Sequence, residues 1–472
     1  MFDSFADLEM QRRHFLKQAG ALALMAGGVS TLPGCAGDPS WVGGEVDENL
    51  LNQVKLAHPQ AKQVAWQEAE LGMFYHFDIP IFKPGWKWRS FKNMPSPKDF
   101  NPKHLDTDQW LEAAVAMGAT YAVLVAKHCS GFLTWQSDLY PYGVKQAAWK
   151  NGKGDLVEDF IRSCHKYGIK PGIYASVTAN CFWEVDNPGR VNRGKGTDKQ
   201  KQERYVQTQE KMLEELWGRY GKLFYIWFDG GSLSPEEGGP DLVPIYQRLQ
   251  SGANVFQGPN ATTRWIGNER GVASYPCWST VNKRNESGSG SATGKIWQPG
   301  ECDVPLRKRA WFWKKNQEHL IHSLDELMDI YYRSVGHNCN LLLNANPNTD
   351  GQIPKADMKR YEEFGAELKR RFEQPLKKAH GRGRSVELVF DRAKNVNHVW
   401  IMEDIRYGQR VRGYEIQALR DDGRWVKIGG GSAVGHKRIE AFKDVKTRAL
   451  RLRIDQSVGT PVIREFAAFD VS

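Results

Sequence analysis

Leu223-Phe224-Tyr225-Ile226-Trp227-Phe228-Asp229-Gly230-Gly231 is an apolar run that breaks off at a carboxylate and two glycines. Apolarity without alternation marks a strand buried on both faces, as parallel sheets require. Working outward, further apolar runs predict strands at 72–77, 121–126, 170–176, 264–267 and 340–343. Segments of helical period lie at 107–117, 155–167, 199–220, 241–250 and 324–335, and Asp155 with Asp159 gives the second of these an acidic start. Strands alternating with helices predict repeated βα units. No Gly-x-Gly-x-x-Gly follows a strand, so the pattern fits a (β/α)₈ TIM-like barrel better than an open nucleotide-binding sheet. A barrel of this kind carries its chemistry at the C-terminal strand ends, which here present His76, His128, the Tyr174 region, Asp229 and Glu269.

A helix over 355–371 runs into Pro375, after which the period changes to two. Alternation at 386–389, 399–401, 414–416, 425–428, 450–454 and 466–469 predicts a C-terminal antiparallel β-sandwich. The expected divisions are an export signal over 1–36, a barrel over 50–375 and the β domain over 380–472. A chain of 472 residues, 40% apolar and 25% charged, suits two packed domains and excludes disorder. The net charge of +10 comes from dispersed basic residues, with local clusters only at 307–309 and 369–371, so no nucleic-acid partner is expected. Seventeen Trp are many for this length and suit a partner with flat apolar faces, such as a sugar ring. Ser287-Gly288-Ser289-Gly290-Ser291 reads as a mobile loop.

At the N-terminus, Arg12-Arg13-His14-Phe15-Leu16-Lys17 precedes an apolar, Gly-rich stretch that lacks acidic residues and is too short to span a bilayer. This resembles a twin-arginine export signal, with Met10 as an alternative start. Leu32-Pro33-Gly34-Cys35 resembles a lipoprotein processing site, although Pro33 departs from the usual small residue. A periplasmic or lipid-anchored place in a bacterial envelope is expected, with Cys35 as the membrane anchor. Cys129, Cys164, Cys181, Cys277, Cys302 and Cys339 form no Cys-x-x-Cys pair, and the spacing leaves a Cys277–Cys302 bridge open. His319 and His322 lack a third ligand, so neither metal nor cofactor is expected.

A carboxylate that ends a buried strand is costly unless it is paired or used. Asp229 therefore either caps its own loop or carries chemistry. Arg264-Trp265-Ile266-Gly267-Asn268-Glu269 repeats the arrangement with a glutamate, for which an ion pair with Arg264 or Arg270 is the structural alternative. Two carboxylates on neighbouring strands amid aromatic residues suit glycoside hydrolysis, which needs an ionised nucleophile and an acid held protonated by apolar surroundings.

Tyr121-Ala122-Val123-Leu124-Val125-Ala126-Lys127-His128-Cys129-Ser130-Gly131-Phe132, Trp149-Lys150-Asn151-Gly152-Lys153-Gly154-Asp155, Tyr167-Gly168-Ile169-Lys170-Pro171-Gly172-Ile173-Tyr174, Trp227-Phe228-Asp229-Gly230 and Leu341-Leu342-Leu343-Asn344, in that order, resemble the α-L-fucosidases of glycoside hydrolase family 29. The resemblance implies a barrel followed by a β-sandwich, and a retaining exo-hydrolase acting on fucosylated oligosaccharides or polysaccharides. It implies Asp229 as nucleophile, and Glu269 as acid/base if the Gly-Asn-Glu and Cys277-Trp278-Ser279-Thr280 segments place the chain in the α-1,3/1,4 branch. His76, His128 and Tyr174 are the implied sugar contacts. Trp86 or Trp88 would form the apolar wall, with Trp227, Arg264 and Trp278 as further candidates. The family usually has His and Asp where this chain has Cys129 and Ser130. That departure keeps a related L-sugar such as L-galactose, or a barrel that binds carbohydrate without turnover, as alternatives.

Overall fold

In the computed structural model, which describes residues 55–87, 90–191 and 198–472, eight parallel strands form the barrel. They are β1 (Leu71–Tyr75), β2 (Tyr121–Lys127), β3 (Lys170–Ala175), β4 (Tyr225–Trp227), β5 (Asn254–Phe256), β6 (Arg264–Trp265), β7 (Gly300–Pro305) and β8 (Asn340–Ala345). Neighbours follow chain order, β8 pairs back onto β1 through Leu71↔Leu341, and the bridge Phe256↔Thr263 joins β5 to the start of β6. All six strand candidates fall on these elements. β5 and β7 escape the apolar-run criterion because they place Asn254, Glu301 and Asp303 in buried positions.

Seven helices accompany the strands among the described residues: α1 (Ala61–Ala69), α2 (Thr107–Met117), α3 (Leu156–Tyr167), α4 (Lys199–Arg219), α5 (Leu242–Leu249), α6 (Leu324–Ser334) and α7 (Lys355–Phe372). Local chemistry sets their ends. Asp155 accepts the Glu158 N–H at 2.9 Å as the cap of α3, and Gly168 at φ 68° closes that helix in the left-handed region. No helix separates β5 from β6 or β6 from β7 among the described residues; a two-stranded ribbon of Thr280–Val281 with Ile296–Trp297 occupies the longer gap instead.

Alternate residues of the strands point into the barrel. Tyr121, Val123, Val125, Tyr174, Tyr225, Trp227, Phe256 and Leu342 form one inner cluster with Phe74 and with Trp66 from α1. Gly72 is required there, because a Cβ would lie 2.3 Å from the Tyr121 ring. A second, larger core fills the space between strands and helices.

The C-terminal part is an antiparallel sheet of six strands: β9 (Lys377–Arg382), β10 (Ser385–Glu403), β11 (Val411–Leu419), β12 (Trp425–Gly431), β13 (Arg438–Ser457) and β14 (Val462–Phe469). They are hydrogen-bonded as one continuous sheet in the order β9-β14-β10-β13-β11-β12. The long strands β10 and β13 break register between Val389 and Lys394 and again near Val396, and alternate residues enclose a separate apolar core. Glu70 at the end of α1 ties this sheet to the barrel, lying 2.8 Å from His436 Nε2 and accepting Lys437 Nζ at 2.6 Å.

Two sequence expectations change. The 287–291 loop is held by backbone bonds, Trp278 N–H to Ser289 O at 2.8 Å and Gly288 N–H to Ile266 O at 3.0 Å. The neighbour of Cys277 is Cys339, with sulfurs 3.5 Å apart, instead of Cys302. The export segment and Cys35 lie outside the described residues. No described helix is long and apolar enough to cross a membrane.

Candidate active site

At the C-terminal mouth of the barrel, the end of β4 presents Asp229. Its Oδ2 accepts the Tyr174 hydroxyl at 2.9 Å, and its backbone carbonyl accepts the Thr178 hydroxyl at 3.0 Å. Tyr174 comes from β3 and is stacked between His128 (5.6 Å) and Trp227 (5.2 Å). Burial and the adjacent Asp229 charge push its hydroxyl well above the usual phenol range, so it stays a donor. The bond from this fixed phenol holds the Asp229 carboxyl group in place.

His76 follows β1 and lies 2.6 Å through Nδ1 from Asn344 Oδ1 at the end of β8. Burial lowers its pKa to about 3, so a neutral ring with Nε2 facing away from Asn344 is the working form. Its ring is 6.0 Å from His128, 5.0 Å from Trp311 and 5.2 Å from Phe312. Asn344 Nδ2 donates to the Trp311 carbonyl at 2.9 Å, so β8 fixes both the histidine and the aromatic segment beside it.

Glu269 sits four residues beyond β6 on an exposed turn, where Asn268 accepts the Arg270 N–H at 3.1 Å. Trp311 Nε1 donates to Glu269 Oε2 at 3.0 Å. The apolar enclosure expected around Glu269 is absent. An indole instead aims the carboxylate and leaves it open to solvent. The expected alternative, pairing with Arg264, does not form: that guanidinium is fully enclosed and donates to Gln298 O at 3.0 Å and Trp278 O at 2.9 Å. Arg264 is therefore a brace of the 278–298 segment and is no sugar contact. Trp278 is also reassigned, because its ring lies under Arg412 of β11 at 4.6 Å. Trp86 lies on the loop after β1 with its indole on the Lys92 carbonyl at 3.3 Å, and Trp88 lies outside the described residues.

Trp227 forms the floor, face to face with Phe256 at 4.2 Å and donating to Glu301 at 2.7 Å. Sequence reasoning missed Glu301 and Asp303. Asp303 accepts the Trp265 indole at 2.6 Å, and burial, with Glu269 and Asp229 adding to it, raises its pKa to about 7. The only sequence signal for this pair is polar alternation in Glu301-Cys302-Asp303-Val304, which reads equally well as a surface strand. Trp311 and Phe312 belong to the aromatic run Trp311-Phe312-Trp313, and the structure sets them against His76 and His128.

The departure from the resemblance is also built in. Cys129 is buried beside Asp229, and the Ser130 hydroxyl accepts the Phe132 N–H at 3.0 Å while serving Asp78. Lys127 lies beneath, donating to the Ser176 and Ala179 carbonyls at 2.7 Å each. The pocket thus combines a partly exposed carboxylate, the neutral His76 ring beside His128, aromatic walls and a second carboxylate on a separate loop. That is an equipment list for attack at a sugar carbon with a separate proton donor.

The family model described as alpha-L-fucosidase matches residues 52–373. Alpha-L-fucosidase 1 of Arabidopsis thaliana is 30% identical over 457 residues, covering 86% of this chain and 86% of that protein. A structure from Bacteroides thetaiotaomicron, assigned as an alpha-L-fucosidase, is 39% identical with a TM-score of 0.85, covering 88% of this chain and 100% of that one. A Ruminococcus gnavus family 29 fucosidase solved with fucose shares the fold at 24% identity and a TM-score of 0.76, covering 88% and 95%.

Proposed function

The chain belongs to the alpha-L-fucosidase family of glycoside hydrolases, and from that premise we propose that it is a retaining, exo-acting hydrolase of terminal α-L-fucosyl groups on oligosaccharides or polysaccharides. The observation that carries this reading is the Tyr174 hydroxyl on Asp229 at 2.9 Å, which holds a carboxylate in place at the C-terminal end of a barrel strand, where a nucleophile is needed. Asp229 attacks the anomeric carbon from one face. Glu269, aimed by Trp311, gives a proton to the departing oxygen and then removes one from the water that hydrolyses the glycosyl-enzyme. Retention calls for carboxyl groups about 5–5.5 Å apart once substrate is bound. The solvent-open seat of Glu269 supports a branched aglycone such as an α-1,3/1,4-linked glycan, which needs room beyond the sugar.

Hydrolysis of aryl α-L-fucoside by the purified protein, its loss in Asp229→Gly and recovery of turnover with azide test the reading. Azide then yields a fucosyl azide of inverted configuration, and unchanged activity in the variant sinks the assignment. Because Cys129 alters the hydroxyl-reading wall, aryl α-L-galactoside belongs in the same screen, and faster release from it would move the substrate to that sugar. We further propose export to the cell envelope, supported by Arg12-Arg13 and Cys35. Fractionation of Cys35→Ala tests anchoring, since an unchanged membrane share would remove Cys35 as the anchor.

A further inference from the structure

We propose that His128, Cys129 and Asp229 form a binding site for a thiophilic divalent cation of the zinc class, and that the bound ion inhibits the enzyme by occupying the Asp229 carboxylate. One ligand atom of each residue, an imidazole nitrogen, a thiol sulfur and a carboxylate oxygen, lies within 4.8 Å of the other two. This mixed donor set suits zinc, with bonds of about 2.0–2.3 Å around a tetrahedral centre. His128 and Cys129 directly follow β2 and Asp229 lies two residues beyond β4, so two neighbours of β3 fix the three positions. His128 and Cys129 are buried while Asp229 is part-exposed, so the cluster opens toward the pocket at one corner. Three protein ligands with one open position is the arrangement of an accessible zinc site.

The sulfur departs from the resemblance. The resemblance expects histidine at position 129, and a thiol there shifts preference toward thiophilic ions. A counterweight is present too: the ammonium of Lys127 is buried close by, on the Ser176 and Ala179 carbonyls. Its positive charge opposes a divalent ion, which suits reversible inhibition by added metal better than a resident cofactor.

The test uses the purified chain after chelator treatment. Titration with Co²⁺ should give a thiolate-to-cobalt absorption band that vanishes in both Cys129→Ala and Cys129→Ser. Zn²⁺ should inhibit aryl fucoside hydrolysis reversibly with EDTA. Relative to its own activity, each variant that folds should need about ten- to a hundredfold more Zn²⁺ for the same inhibition. Absence of the band overturns the site. So does a band that survives in either variant, because it would belong to other cysteines such as Cys277 and Cys339. Equal Zn²⁺ sensitivity in the variants overturns the inhibitory role. The inference shares its pocket with the proposed function but not its substrate: a protein that binds Co²⁺ through Cys129 yet cleaves no fucoside keeps the cation site and loses only the sugar.

Discussion

At the level of single residues, the two carboxylates are held in opposite ways. Asp229 is fixed from beneath by a phenol that cannot ionise near neutral pH, whereas Glu269 is aimed sideways by one indole on a solvent-open turn. An aimed acid matters most where the leaving group needs a proton. Glu269→Gln should therefore cost about 10²–10⁴-fold in kcat/KM on a glycan or alkyl fucoside and far less on a nitrophenyl fucoside. Trp311→Phe removes only the aiming bond and should show the same leaving-group trend at about tenfold. Equal losses on both substrates would make Glu269 a structural residue. Asp229 was readable in the sequence because a buried run ending in a charge needs a reason. The tie from Trp311 to Glu269 spans 42 positions and two loops, so no local pattern could announce it.

At the level of elements, β7 is the barrel's odd strand, since all six of its residues are buried while two are acidic. Glu301 lies among Trp227, Tyr121 and Tyr225, and burial raises its pKa to about 8 from the ordinary 4.5. A raised carboxylate means that the folded state holds a proton which the unfolded chain releases. The native state therefore binds more protons between about pH 4.5 and 8, and its stability falls as pH rises through that window. The slope from one such group is at most about 1.4 kcal/mol per pH unit. Glu301→Gln keeps the shape and cannot ionise, so its melting temperature should exceed that of the parent at pH 8 by more than at pH 5. Parallel pH curves for the two proteins would refute this. The same strand shows where sequence reading stops. β2 and β8 declare themselves by unbroken apolar runs, and α3 by Asp155 and Gly168 at its ends. β5 and β7 carry polar groups satisfied only by distant partners, such as Asn254 Nδ2 on the Lys62 carbonyl at 2.7 Å, so their sequences look like surface.

At the scale of the whole molecule, the β sheet grips the barrel at several places, and two of them are well separated. One is Glu70, just before β1 and hence at the N-terminal end, opposite His76. His436 and Lys437 on this carboxylate depress its pKa to about 2 from 4.5 against the pull of burial. A depressed carboxylate contributes stability above its unfolded pKa and loses it as pH falls from about 4.5 to 2, so Glu70→Gln should melt earlier at pH 7 while converging with the parent near pH 2. The second grip falls on the segment that follows Glu269. Arg412 of β11 covers the Trp278 ring at 4.6 Å and donates to the Ala292 carbonyl at 2.7 Å, Tyr275 donates to the Ala433 carbonyl at 3.0 Å, and Gln409 accepts the Ser279 N–H at 3.0 Å. Trp400 packs on Phe372 and Phe469 at 5.9 and 4.7 Å, and Trp425 lies under Arg451 at 3.9 Å. The sheet thus braces the barrel, and one of its braces bears on the stretch of chain anchored by Arg264 and continuous with the turn that carries Glu269. Arg412→Ala should loosen that stretch without touching Asp229. The expected result is a loss of about three- to tenfold in kcat/KM confined to substrates with poor leaving groups, with nitrophenyl fucoside hydrolysis and its azide-insensitive first step nearly unchanged. A uniform loss on both substrates would mean general destabilisation. No loss on either would mean that the sheet supports the fold alone and leaves Glu269 to Trp311.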